Sequence, residues 1–395
     1  MTVYPRQKLN FNLQDFFWLF FKLLNKNAIK DNDPCLLEQL KNHFGTNNLI
    51  LTPSATYSFY KILKFLGINT GDSVILPAKV YPDFSKIISS MGAKCTFIEI
   101  DPATLNLDYK DIVKKDASGK IVVLPIHYGL VPKNIKKIVV LLKKKKCKII
   151  FDSVQYFFPD KFLIQNGDAL IYSFSRAKDL DLMGGGLIIS KSKKLLDYIN
   201  NESSRNLCPS RFYLLKNILR YFYMYFFTNK IIFPLVTFPL LLINSCFNKE
   251  IIASTPNKLF APKKLALGSL NSSYRMCNLQ FWFGVRKLPS TASLIKRRSM
   301  LGNDFYDFVS KNVKEISVPA VFRSIYYTFP IISRDKNLAK KLLRKGIDTK
   351  PSFLQDCSRQ SLELFGKVIH IPMYSRGKKD LTRFKKNFIK CINNA

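Results

Sequence analysis

The chain has 395 residues, 47% of them apolar, which excludes a disordered protein and suffices for a large core plus a second, smaller unit. Lys and Arg number 63 against 27 Asp and Glu, a formal net charge of +36 that favours anionic partners such as phosphorylated substrates, nucleotides or a membrane surface. No nucleic-acid motif accompanies the charge, so no nucleic-acid partner is expected; eight scattered Cys without a C-x-x-C pair, and only three His, exclude a metal cluster and point to a reducing cytoplasm.

Residues 1–28 read as an apolar helical extension. Leu13, Phe16, Phe17, Phe20, Leu23 and Leu24 recur at helical spacing, and Trp18, Leu19 and Phe21 widen the face. The segment lacks the small-residue cleavage site of a signal peptide. It is expected to pack on the body or on a partner subunit; the second reading is a peripheral helix over 9–27 at the inner membrane face, with Lys22 and Lys26 near the headgroups. From residue 48 apolar runs alternate with helices. Strands are predicted at 48–51, 73–76, 95–100, 121–125, 148–151, 169–174 and 187–190, with helices at 54–66, 82–91, 108–115 and 133–146. Short continuous apolar strands separated by helices predict an α/β fold with a parallel sheet covered on both faces. The aromatic segment 211–247 interrupts this pattern. Its cleanest apolar run, 231–243, contains Pro234 and Pro239 and falls short of the ~20 residues of a spanning helix. It is expected to be buried in protein first, as a hairpin or a dimer-interface element, and to insert shallowly in a membrane second. Residues 288–395 read as a smaller α+β unit, with strands at 326–332 and 367–374 and helices at 337–346 and toward the C-terminus. The expected division is an extension over 1–28, a large domain over 29–287 carrying the apolar insertion, and a small domain over 288–395.

The residues that carry chemistry cluster after the fifth and sixth strands. Asp152 ends the run KIIF, at the edge where open parallel sheets bind ligands. A carboxylate backed by apolar residues there needs a cationic partner, and a protonated pyridine nitrogen is one. Lys178 follows the next strand, after Ser173 and before Gly184-Gly185-Gly186. A Lys in a desolvated site has a lowered pKa and attacks aldehydes, while the Ser hydroxyl can bind phosphate. This combination of acid, anchor and amine is what pyridoxal phosphate requires. Thr52 to Thr56 lead into a helix whose N-terminus suits phosphate, and Tyr81 follows another strand at the same edge, where an aromatic ring can stack on a flat cofactor. Taken singly, these residues have ordinary uses: a cap, a solvated loop Lys, an N-cap, a core aromatic.

The runs SATYSFYKILKFLGINTGDSVILPAKVY, FIEIDPATLNLD, VLPIHYG, IIFDSVQ, GDALIYSFSRAKDLDLMGGGLIIS and YRMCNLQ, in this order across roughly 45–375, resemble the DegT/StrS family of sugar aminotransferases. These are fold type I pyridoxal-phosphate enzymes. The resemblance implies a mostly parallel seven-stranded sheet flanked by helices, with a smaller C-terminal α+β domain. It implies Lys178 as the Schiff-base lysine that also moves a proton, and Asp152 as the partner of the ring nitrogen. Gln155 would lie beside the cofactor's 3-hydroxyl, Ala55, Thr56 and Ser173 around its phosphate, and Tyr81 on its ring. A homodimer is implied as well.

Three positions depart from the family pattern. Met183-Gly184-Gly185-Gly186 stands in place of G-E-G-G, Ala55 in place of Gly, and Ser273 in place of the Asn before the Y-R-M motif. They bear on donor recognition and on contacts across subunits. The implied reaction moves an amino group from an amino acid, glutamate being the expected donor, to a keto-sugar, nucleotide-linked, for cell-surface polysaccharide or secondary-metabolite synthesis. The alternatives are another fold type I reaction or a non-catalytic, membrane-associated homologue. Lys178 argues against the family branch that carries His there and dehydrates its substrate.

Overall fold

The computed structural model describes residues 3–6, 8–246, 274–335, 337–349, 354–373 and 378–392. Its main sheet has seven strands: β1 (Leu49–Thr52), β2 (Ser73–Pro77), β3 (Lys94–Ile98), β4 (Ile121–Pro125), β5 (Lys148–Asp152), β6 (Ala169–Ser173) and β7 (Gly186–Ile189). Their spatial order is β1-β7-β6-β5-β4-β2-β3. The pairs from β6 to β3 are parallel, whereas β7 runs antiparallel to both β6 and β1. Two antiparallel steps restore the direction, so β1 points the same way as β6. The carboxyl ends of β1, β2, β4, β5 and β6 therefore share one edge.

The strands are apolar throughout because both faces are covered. Along β5, Ile149 and Phe151 enter one core while Ile150 enters the other, the alternation a pleated strand imposes. Helices Cys35–Phe44 and Ile135–Lys144 cover the first face with Leu36, Leu40, Phe44, Ile135, Ile138 and Leu142. Helices Ala55–Phe65, Pro82–Ser90 and Lys193–Ser204 cover the second.

A further core lies under an antiparallel sheet of β8 (Ile316–Ser317), β9 (Phe329–Ser333) and β10 (Val368–Ile371), where Phe305 meets Phe329, Phe384 and Phe388 edge to face. The 35-residue helix Asn278–Asn312 gives Leu279 and Phe283 to the main core and Phe305 and Val309 to this one. Its Arg298 also reaches the loop after β6: Nη2 lies 2.6 Å from the carboxylate of buried Asp179, and Nε donates to the Ile325 carbonyl at 2.8 Å.

Within residues 1–28, the helix among the described residues is Leu13–Leu23, begun by a capping box between Asn12 and Asp15. Upstream, Tyr4 bridges to Ile347 and Arg6 pairs with Asp348 at 2.6 Å. The segment 211–247, expected to be buried, has two faces among its described residues. Helix Arg211–Phe227 buries Leu214, Ile218, Tyr221 and Met224 and leaves Phe212 75% and Leu219 51% exposed. Pro234 and Pro239 sit at the starts of the two short helical pieces beyond it, Phe233–Thr237 and Phe238–Cys246, where the missing N–H of proline costs least. No helix among the described residues is long and apolar enough to cross a membrane.

Substituting Asp179→Ala leaves the Arg298 charge buried beside a void. It is expected to lower stability by about 3–5 kcal/mol in thermal melts, whereas the apolar pair Asp179→Leu with Arg298→Met recovers most of that loss.

Candidate active site

Asp152 is the last residue of β5 and faces Ile171 of β6 in the ladder. Its side chain is only 5% exposed and accepts the Val154 N–H at 3.2 Å. Burial pushes its pKa up to about 6, against the pull of the Lys178 ammonium. Burial likewise lowers the pKa of Lys178, with Asp152 opposing the shift first and Asp179 and Asp181 after it. Each charge thus lies within the other's field in a site withdrawn from water. The Lys178 Nζ also sits 5.5 Å from the centroid of the Tyr327 ring.

The loop that carries Lys178 is held on both sides. Asp181 accepts the Ala177 N–H at 2.5 Å and the Met183 N–H at 3.0 Å, and the Tyr327 hydroxyl donates to the Ala177 carbonyl at 2.8 Å. Ala177 and Met183 take left-handed φ values of 58° and 63°, which these contacts impose. Gly184 and Gly185, at φ 140° and 99°, occupy backbone space that side chains rarely adopt. At Gly186 a Cβ would stand 2.8 Å from the Ala55 nitrogen, so the glycine lets the start of helix Ala55–Phe65 close on β7.

That helix start forms another wall. The Ser54 hydroxyl accepts the Tyr57 N–H at 3.0 Å, which leaves the first amides, at Ala55 and Thr56, for whatever the cavity holds. Opposite it the Ser173 and Ser175 hydroxyls bond each other at 2.9 Å. Gln155 spends its carbonyl oxygen on the Tyr128 N–H at 2.6 Å, which makes its amide NH2 the group open to a ligand. Tyr81 packs edge-on against Phe84 at 5.9 Å, and burial, aided by nearby acids including Asp152, keeps its phenol protonated.

All seven residues singled out from the sequence, Ala55, Thr56, Tyr81, Asp152, Gln155, Ser173 and Lys178, line one cavity of ≈ 580 Å³. The same cavity takes in residues not singled out: His127, Arg176, Tyr213, Asn217, Arg220, Tyr221 and Tyr327. His127 and Arg176 lay inside quoted motifs, and their types were the available signal. The His127 Nε2–H donates to the Lys79 carbonyl at 3.2 Å, and burial lowers its pKa to about 4, so the imidazole stays neutral. Tyr213, Asn217, Arg220 and Tyr221 share one helical face within the aromatic run. Tyr327 had no local signal. Ser273 lies outside the described residues.

The donor set suits a flat, phosphorylated aldehyde with a basic ring nitrogen. Amides and hydroxyls can take the phosphate, the poorly solvated Lys178 amine the aldehyde, and the buried Asp152 carboxylate a ring cation that relieves its desolvation.

Residues 35–210 match the model of the DegT/DnrJ/EryC1/StrS aminotransferase family. Among curated relatives, the GDP-perosamine synthase of Escherichia coli O157:H7 is 25% identical over 184 residues, 45% of this chain and 50% of that protein. The dTDP-4-dehydro-2,3,6-trideoxy-D-glucose 4-aminotransferase of Saccharopolyspora spinosa is 26% identical over 162 residues, 40% of this chain and 42% of that one. The match therefore spans about half the length of these relatives or less. Among solved structures, Helicobacter pylori PseC, an aminotransferase of pseudoaminic acid biosynthesis, superposes over 100% of both chains with a TM-score of 0.71 at 13% identity. The NtdA structure from Bacillus subtilis, with the cofactor PMP bound, superposes over 100% of this chain and 86% of that one, with a TM-score of 0.69 at 18% identity. Residues 35–210 thus match the DegT/DnrJ/EryC1/StrS aminotransferase model, and along the whole chain the fold is that of the solved sugar aminotransferases it superposes on.

Proposed function

We propose that the chain is a pyridoxal-phosphate-dependent aminotransferase that moves an amino group from an amino acid, glutamate first among those to test, to a keto-sugar. The surplus of positive charge favours an acceptor linked to a nucleotide diphosphate. The observation that carries this reading is the meeting of Lys178 and Asp152 in one cavity with the helix start at Ala55 and Thr56 and the Ser173 hydroxyl. Bound pyridoxal phosphate supplies an electron sink beside the nitrogen being transferred. The chain's own share is positional and protonic. Lys178, its pKa lowered by burial, offers the amine and moves a proton at its Nζ. Asp152 as carboxylate holds a positive ring nitrogen, Gln155 and the neutral His127 offer hydrogen bonds, and Tyr81 gives an aromatic wall that excludes water.

The working unit in this reading is a homodimer, as the family resemblance implies, in the reducing cytoplasm that the scattered Cys suggest. In this reading the chain divides into a large domain, 29–287, and a small one, 288–395; the two cores to which helix Asn278–Asn312 contributes support a two-part organisation.

Purified protein incubated with pyridoxal phosphate is expected to absorb near the visible edge, and borohydride reduction to fix a pyridoxyl mass on Lys178. Lys178→Ala is expected to lose both and to lower turnover by about 10²–10⁴-fold or more; an unchanged adduct elsewhere would remove the assignment. Asp152 can hold a ring cation only when ionised. Cofactor affinity is therefore expected to be full above pH 6 and to weaken as pH falls through about 6. That step should be missing from fluorescence titrations of Asp152→Asn.

The exposed apolar face supports a peripheral contact with an anionic lipid surface. Phe17 and Phe21 of helix Leu13–Leu23 are 73% and 69% exposed, and Phe16 of that helix packs on Phe222 of helix Arg211–Phe227 at 5.3 Å. The two helices lie side by side, and Leu219, Phe226, Ile231 and Leu235 extend the exposed surface. No acidic residue occurs between Glu202 and Glu250, and the single one before residue 31, Asp15, is buried against Lys287. An aromatic surface ringed by Lys and Arg and free of carboxylates suits anionic headgroups. Cosedimentation with phosphatidylglycerol vesicles, but not with phosphatidylcholine vesicles, is the expected result, reduced by Phe17→Ser with Phe21→Ser. No sedimentation at low salt, or a stable dimer that buries this face, would refute it.

A further inference from the structure

We infer that Arg176 and Arg220 form a subsite in the cavity for an oxyanion carried by a substrate, a carboxylate or a phosphate. The inference rests on the transferase reading above and adds to it the group by which a substrate is held.

The first observation is the composition of helix Arg211–Phe227. Almost every residue is aromatic or aliphatic, yet Tyr213, Asn217, Arg220 and Tyr221 fall at i, i+4, i+7 and i+8 and all reach the cavity. A helix that needed only to pack would place no guanidinium on that line. Burial lowers the pKa of Arg220 first, and the Arg176 charge lowers it further, so the two cations feel each other. The second observation is the position of Arg176. It stands two residues before Lys178 on the same loop, and its Nη1 lies 3.8 Å from the Met224 sulfur, one turn beyond Arg220. Two guanidiniums from separate elements thus converge on one wall of the cavity.

Like charges in a half-buried wall disfavour each other, and an oxyanion between them reverses the sign of that interaction. Guanidinium geometry further favours an acceptor with two or three oxygens, because each fork can donate in parallel to a pair of them. The cup formed by Ala55, Thr56 and Ser173 uses amides and hydroxyls instead, so the cavity holds two chemically different anion-binding walls. Tyr213, Asn217 and Tyr221 on the arginine side add phenol and amide groups of the kind that contact a polar, ring-shaped substrate.

The test uses the full-length protein loaded with pyridoxal phosphate and its variants R220Q and R220K. Inorganic pyrophosphate stands for a phosphorylated acceptor and glutarate for the donor's carboxylates, with binding measured by calorimetry. R220Q is expected to weaken one probe at least tenfold, R220K less, while cofactor affinity and melting temperature stay within twofold and a few degrees of the parent. Loss of pyrophosphate binding assigns the subsite to the acceptor, and loss of glutarate binding assigns it to the donor. Equal binding of both probes by the parent and R220Q overturns the inference. So does a parallel fall in cofactor affinity, which would give the arginines to the cofactor phosphate. Failure of the transferase reading is separate, since it shows as no borohydride adduct on Lys178 whatever the probes do.

Discussion

The structure depends on holding two opposite charges, Asp152 and Lys178, in a place from which water is largely removed. Neither is comfortable there alone: burial raises the pKa of one and lowers that of the other. Their meeting follows from sheet order. β5 and β6 are parallel neighbours, so the residues that end them leave the sheet at the same edge. The strand order also brings the ends of β1, β2 and β4 to that edge, which supplies the helix start at Ala55, the Tyr81 ring and His127.

A lysine on a loop would ordinarily escape such a site by turning to solvent. Here the loop is fixed from several sides. Asp181 ties both of its flanks, Tyr327 holds the Ala177 carbonyl, and Arg298 of the long helix clamps Asp179. Positive φ values at Ala177 and Met183 show a backbone held by its surroundings rather than by its own preference. The clamp from Arg298 also joins the two cores, because the helix that carries it enters both. The turn that follows has Met183 lining the cavity and Gly184 at a φ of 140°, so the path of the chain there belongs to glycine.

Helix Arg211–Phe227 connects the site to the outside. Its inner line carries Tyr213, Asn217, Arg220 and Tyr221 to the cavity, its flank packs in the core, and its outer line stays apolar and exposed. Anything that covers the outer face, lipid or protein, therefore rests on the element that shapes one wall of the site. Helix Leu13–Leu23 lies beside it through Phe16 and Phe222, so the N-terminal segment shares the same position between surface and site.

The sequence by itself determined the sheet and the centre of the site. Apolar runs bounded by turns marked all seven strands to within a residue or two, because burial on both faces leaves a continuous hydrophobic signature. The seven residues singled out converge because each follows a strand whose end lies at one edge, and strand ends are visible locally. The tertiary structure alone decided what depends on contacts distant in sequence. The pairing of Val3–Arg6 with residues near 347, the Asp179–Arg298 clamp and the placement of Tyr327 join segments more than a hundred residues apart. Helix 211–227 was hardest to read because its aromatic density hides which side is buried. Hydrophobic periodicity identifies a face only when polar residues mark its opposite, and here Asn217 and Arg220 turn toward the cavity while Arg211 and Lys216 are exposed.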